Sequence, residues 1–135
     1  MNFAQAVKSG LKNYVNFEGR ATASEYWWFT LFHMIAIILP FVLALIAGLS
    51  SNALGWLAVI LVILGFLTML GLIIPQLSVL ARRLHDSDRS AMWILIGFIP
   101  TLGAIVLIVF ACMPSTPGDN RYGPASGKRL ADTFS

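Results

Sequence analysis

The residues best suited to chemistry stand together in Arg82-Arg83-Leu84-His85-Asp86-Ser87-Asp88-Arg89, directly after a stretch from Tyr26 to Ala81 that holds no Asp, Glu, Lys or Arg. Two guanidiniums beside a carboxylate and an imidazole suit bidentate capture of phosphate or carboxylate, or an internal charge network. Arg82 and Asp86 are four apart, as are His85 and Arg89, so a helix continuing through them sets each pair on one face. Arg20 and Glu25 precede the apolar stretch, and Glu25 can meet Arg82 or Arg83 if the intervening chain forms a helical hairpin. The expectation is a charge-neutralised network of Arg20, Glu25, Arg82, Arg83 and Asp86 that locks the ends of the helices together. The plainer alternative is a set of solvated interfacial charges, each exposed pair contributing only ~0 to 1 kcal/mol. Farther on, Gly118-Asp119-Asn120-Arg121-Tyr122-Gly123-Pro124 adds Asn120 and Arg121 to the candidate binding residues, which also include His85.

Other chemistries find less support. Ser24 with Glu25, or Ser90 with Asp86 and His85, would make a nucleophile and base, but no G-x-S-x-G elbow and no Walker-type loop accompanies them. No catalytic residues are expected, and the chain is read as a non-enzyme. No second His stands at ligand spacing from His85, so neither a metal nor a cofactor is expected. Cys112 is the lone cysteine, which excludes an intrachain disulfide and a C-x-x-C pair. His33 lies inside the first apolar run, where an ionisable residue suggests a functional site by default. The competing reading is a neutral imidazole hydrogen-bonded to a neighbouring helix.

The elements that must position these groups are set by lipid. Apolar residues make up 58% of the chain and charged residues 11%, with mean hydropathy +0.80, which belongs to membrane rather than globular proteins. The net charge of +3 would suggest nucleic acid for a soluble protein. Here the bases flank hydrophobic spans, so no nucleic-acid partner is expected and they read as topology signals and anionic-lipid contacts. The first 25 residues carry charge and no continuous apolar run, against a signal peptide.

The expected fold is an all-α integral membrane protein in a single domain. Residues 1–25 form a cytoplasmic segment, in which Phe3, Val7, Leu11, Tyr14 and Val15 recur at helical spacing opposite Lys8 and Lys12. This amphipathic helix either lies in the headgroup layer or docks on the other helices. Residues 27–49 and 54–80 form a transmembrane hairpin; the first spans ~34 Å as a helix, enough for a ~30 Å hydrocarbon core. Tyr26, Trp27 and Trp28 at its start, and Trp93 later, are expected to anchor it at the interface. Ala36, Pro40, Ala44 and Gly48 make a small-residue stripe for close helix packing, and Pro75 can bend the second span. Residues 82–90 are expected as an Arg-rich loop. The hydrophobic segment 91–112 is broken at Gly97, Pro100 and Gly103, and is either a kinked span or a re-entrant hairpin turning at Pro100-Thr101. Residues 113–135 are a polar, turn-rich tail.

Lys8, Lys12 and Arg20 flank the first span and Arg82, Arg83 and Arg89 follow the second, while Ser50-Ser51-Asn52-Ala53 between them has no base. The N-terminus and the 82–90 stretch are therefore expected in the cytoplasm. Charge asymmetry favours a re-entrant third segment with a cytoplasmic tail, whereas its length favours a crossing.

The combination Phe17-Glu18-Gly19-Arg20, Glu25-Tyr26-Trp27, Arg82-Arg83-Leu84-His85-Asp86 and Asn120-Arg121-Tyr122-Gly123-Pro124, separated by hydrophobic runs, resembles the bacterial inner-membrane family catalogued as domain of unknown function 805. The resemblance covers residues 13 to 124. It implies a multi-pass protein of the bacterial inner (plasma) membrane with no established activity. Two positions depart from the family pattern: Ala23 stands where a basic residue is frequent, and Met92 where a second Trp before Trp93 is usual. The reading reached is a non-catalytic protein whose Arg-rich cytoplasmic rim binds anionic phospholipid or a membrane-protein partner. The alternative is a subunit of a homo-oligomeric channel or small-solute transporter, motivated by the small-residue stripe, the broken third segment and His33.

Overall fold

The computed structural model describes residues 2–124; the expected tail beyond 124, with Lys128 and Arg129, lies outside the described residues. Helix α1 (Phe3–Lys12) begins at a capping box, in which the Asn2 side chain accepts from the Gln5 N–H and the Gln5 side chain accepts from the Asn2 N–H. Its buried face is built of small residues, Ala6, Ser9 and Gly10. That lets α1 dock on the following helix, with Gly10 so close that a Cβ there would stand 2.2 Å from the Phe29 ring. Docking still leaves Phe3, Lys8, Leu11 and Lys12 exposed.

Helices α2 (Ala23–Ser50) and α3 (Gly55–Asp86) form the hairpin, joined by the 3-10 turn Asn52–Leu54. The Thr22 side chain caps α2 by accepting from the Glu25 N–H. With 28 and 32 residues the helices extend ~42 and ~48 Å, and both are long and apolar enough to cross a bilayer. Their outward side chains are apolar and open, Leu49, Leu67 and Leu70 among them. The protein is thus an all-helical membrane protein whose spanning surface is suited to lipid tails. Arg82 to Asp86, expected in a loop, form instead the last turns of α3. The helix continues there because each of these charged side chains finds partners where it stands, as described below.

Pro75 inside α3 has no N–H for the carbonyl four residues earlier, that of Gly71. The Tyr14 hydroxyl, from the chain following α1, donates to that carbonyl, so the donor lost to proline is replaced from outside the helix.

The third hydrophobic segment folds back on itself. A 3-10 helix, Ala91–Phe98, meets helix α4 (Leu102–Cys112) across a reversal at Pro100-Thr101, where Thr101 adopts φ 64°. Gly103 permits the reversal: a Cβ there would come within 1.8 Å of the Ile96 carbonyl oxygen. The Trp93 ring packs edge-on against Phe110 at 5.1 Å, and the Arg83 guanidinium holds the Ala111 carbonyl. Both ends of the segment therefore lie beside the end of α3. Each arm extends only ~16 Å, about half of a ~30 Å hydrocarbon core. Ala21, Tyr26, Phe29, Val79, Leu80, Leu84 and Ala111 make the apolar core at this same end.

Candidate functional site

Every polar motif of the sequence converges where α1, the start of α2, the end of α3 and the chain following α4 meet. Arg20, Glu25, Arg82, Arg83 and Asp86 are each at most 1% exposed, which solvated surface charges never are.

Asp86 is the hub. Its Oδ1 accepts from Arg20 Nε at 2.9 Å and its Oδ2 from Arg83 Nη1 at 2.7 Å; the Ser115 hydroxyl donates to Oδ2 as well. Arg20 spends its remaining donors on main-chain carbonyls: Nη1 on Gly118 and Gly123, Nη2 on Thr116 and Asp86. Arg83 does likewise, with Nε on Ala111, Nη1 also on Ala21 and Nη2 on Met113. The Thr116 N–H donates to the Asp86 carbonyl at 2.7 Å. Two buried guanidiniums thereby strap residues 111–123 across the end of α3. The planar fork of arginine suits this, since its donors diverge in one plane toward several acceptors.

Arg82 is used differently. Its Nη1 donates to Glu25 Oε1 at 2.7 Å, and Ser9 of α1 donates to the same oxygen at 2.7 Å. The expected helix-face pair of Arg82 with Asp86 is not an ion pair, because Asp86 turns to Arg83 and Arg20 while Arg82 turns to Glu25. Arg82 Nε and Nη2 are buried and have no hydrogen-bond partner among the described residues.

An outer layer covers the hub. The His85 ring stacks on Tyr122 at 3.9 Å and 5°, and its Nδ1 lies 2.9 Å from the Gly19 carbonyl. The Asn120 side chain donates to the His85 carbonyl and caps its own turn by accepting from the Tyr122 N–H. Arg121 pairs with Asp88 at 3.1 Å, largely in solvent. Arg89, expected beside His85, instead sets its guanidinium 4.6 Å above the Phe110 ring. Of the expected interfacial aromatics, Trp27, Trp28 and Trp93 are half-exposed, whereas Tyr26 is buried in the core.

Deeper in the hairpin, His33 Nδ1 stands 3.1 Å from Gln76 Oε1, and Gln76 donates to Thr30 Oγ1 at 2.9 Å. His33 Nε2 is buried without a partner among the described residues. No group of three or more His, Cys, Asp or Glu side chains converges for a metal among the described residues.

Sequence reasoning missed Ser9, Ser115 and the carbonyls of residues 111–123. Ser9 had a signal, since it lies on the small-residue face of α1 with Ala6 and Gly10. The carbonyls had none, every residue carrying one.

The family described as "Protein of unknown function (DUF805)" matches residues 14–124. Among curated proteins, the chain is similar to the inner membrane protein YhaH of Escherichia coli K12, 46% identical over 119 residues that cover 84% of this chain and 89% of YhaH. It is also similar to the inner membrane protein YhaI of the same organism, 45% identical over 115 residues, 85% of this chain and 89% of YhaI. No solved structure matches the chain.

Proposed function

This chain belongs to the DUF805 family and is a bacterial inner-membrane protein, and from that premise we propose that it is a non-catalytic protein whose capped end binds anionic phospholipid in the cytoplasmic leaflet. Neither the family description nor the relatives' names indicate a catalytic activity. The observation that carries the reading is helix α1. Its small-residue face is docked on α2, while Phe3, Leu11, Lys8 and Lys12 remain open and Phe3 packs edge-on to Trp28 at 5.9 Å. An amphipathic helix fixed beside half-exposed tryptophans has its lysines at headgroup level. Arg20, Arg82 and Arg83 are buried, so the contacts at the outer surface fall to Lys8, Lys12 and Arg121. The basic residues Lys8, Lys12, Arg20, Arg82 and Arg83 at one end, against none in Ser50–Ala53, support a cytoplasmic N-terminus and two crossings.

The channel or transporter alternative draws no comparable support. The far halves of α2 and α3 meet around Phe41, Ala44, Leu45, Ala58, Val59, Val62 and Ile63, an apolar lining. His33 is engaged by Gln76.

Proteoliposomes with spin-labelled phosphatidylglycerol or phosphatidylcholine test the reading. Wild-type protein should immobilise the anionic lipid preferentially, and Lys8→Glu with Lys12→Glu should remove that preference, each lysine contributing ~1 kcal/mol. Equal selectivity in wild type and variant would refute it.

A further inference from the structure

We infer that the Arg82 side chain, beneath helix α1, is the receiving group of a specific oxyanion site that takes one phosphate group, as carried by a phospholipid phosphodiester. The inference rests on the reading of the capped end as an anionic-lipid contact and names where a single headgroup is held.

Charge is the first ground. Three buried guanidiniums, Arg20, Arg82 and Arg83, face two buried carboxylates, Glu25 and Asp86, among the described residues. One positive charge is left over in a region withdrawn from water, which is costly unless an anion accompanies it.

Donor accounting is the second ground, and it locates the anion. Arg20 and Arg83 use all three of their nitrogens on named acceptors. Among the described residues Arg82 uses one, Nη1, and leaves Nε and Nη2 unpartnered at 0% residue exposure. Nε–H and Nη2–H are the parallel pair along one edge of the guanidinium, the edge that matches two oxygens of a phosphate or carboxylate. The surplus charge lies at Arg20 and Arg83, which share Asp86, and the unused edge belongs to Arg82, next to Arg83 in the chain and paired once with Glu25.

Depth is the third ground. Glu25, which orients Arg82 through Nη1, stands two residues before the half-exposed Trp27 and three before Trp28. Indoles of that kind mark the headgroup layer, where lipid phosphates are the abundant oxyanion. Helix α1 covers the pair, tied by Ser9 to Glu25 and by the Asn13 carbonyl to the Ser78 hydroxyl. A helix of 10 residues has little stability apart from such contacts, so entry of a headgroup requires the Ser9 and Asn13 hydrogen bonds to open.

The experiment is a thermal-unfolding titration of delipidated full-length protein in neutral detergent. The additions are phosphatidylglycerol, phosphatidylcholine and inorganic phosphate, with chloride at matched ionic strength as reference. Phosphatidylglycerol should raise the midpoint saturably at one lipid per chain, and Arg82→Lys, which keeps the charge and loses the fork, should weaken it roughly tenfold. Lys8→Glu with Lys12→Glu should change this one-to-one affinity less than about threefold while removing selectivity in the liposome assay. A rise with inorganic phosphate matching that with lipid would assign the site to free phosphate and leave its chemistry intact. If neither phosphatidylglycerol nor phosphate stabilises the wild type beyond chloride, the site does not exist, whether or not Arg82→Lys folds. Binding that survives unchanged in a folded Arg82→Lys also overturns it. Saturable lipid binding together with liposome selectivity unaffected by the lysine changes would refute the peripheral reading alone.

Discussion

At the scale of residues, the same ion pair means different things on the two sides of the cap. Asp86 is buried and serves two guanidiniums, whereas Asp88 pairs with Arg121 while both remain largely exposed. Removing one partner of a buried pair strands the others, at about 3 to 5 kcal/mol; an exposed pair contributes about 0 to 1 kcal/mol. Asp86→Asn should therefore lower the thermal midpoint in detergent far more than Asp88→Asn, and comparable effects would show that the hub does not lock the fold. The membership of the hub was legible because opposite charges flank one apolar hairpin and must meet if it closes. Who pairs with whom was not. Helical spacing offered Arg82 to Asp86, but a carboxylate with two lone-pair faces takes the geometry that serves Arg20 and Arg83 together, and only the folded arrangement decides that. Main-chain acceptors were invisible for a plainer reason, since a carbonyl carries no side-chain identity.

At the scale of elements, α3 and α4 depart from regularity in ways their prolines and glycines announce without explaining. Pro75 signalled a disturbance of α3, and the structure adds the remedy, the Tyr14 hydroxyl on the Gly71 carbonyl. This makes a double-mutant cycle informative. Tyr14→Phe should cost about 0.5 to 1.5 kcal/mol in the wild type, and almost nothing once Pro75→Ala returns the helical N–H. Independent effects would mean that Tyr14 does not substitute for the lost donor. The break in residues 91–112 was equally visible as Gly97, Pro100 and Gly103, yet the direction taken after it depends on Gly103 approaching the Ile96 carbonyl and on Arg83 reaching Ala111. Both are contacts between groups distant in the pattern of hydrophobicity, so hydropathy alone left span and hairpin open.

At the scale of the whole molecule, polarity is segregated to one end, and the doubled-back third segment returns the chain to that end. In a Cys112→Ser background, an impermeant maleimide applied to intact cells should label Ser51→Cys and spare Pro124→Cys until the membrane is opened. Labelling of both in intact cells would mean that residues 91–112 cross. The described chain is also closed by its own latest part: Arg20, near the beginning, takes its final acceptors from Thr116, Gly118 and Gly123. During synthesis Arg20, Arg82 and Arg83 leave the ribosome before the carbonyls that will cover them. A product interrupted before Thr116 would keep Arg20 desolvated without those acceptors, or expose it. The cap is therefore complete only once the chain through Gly123 has been made.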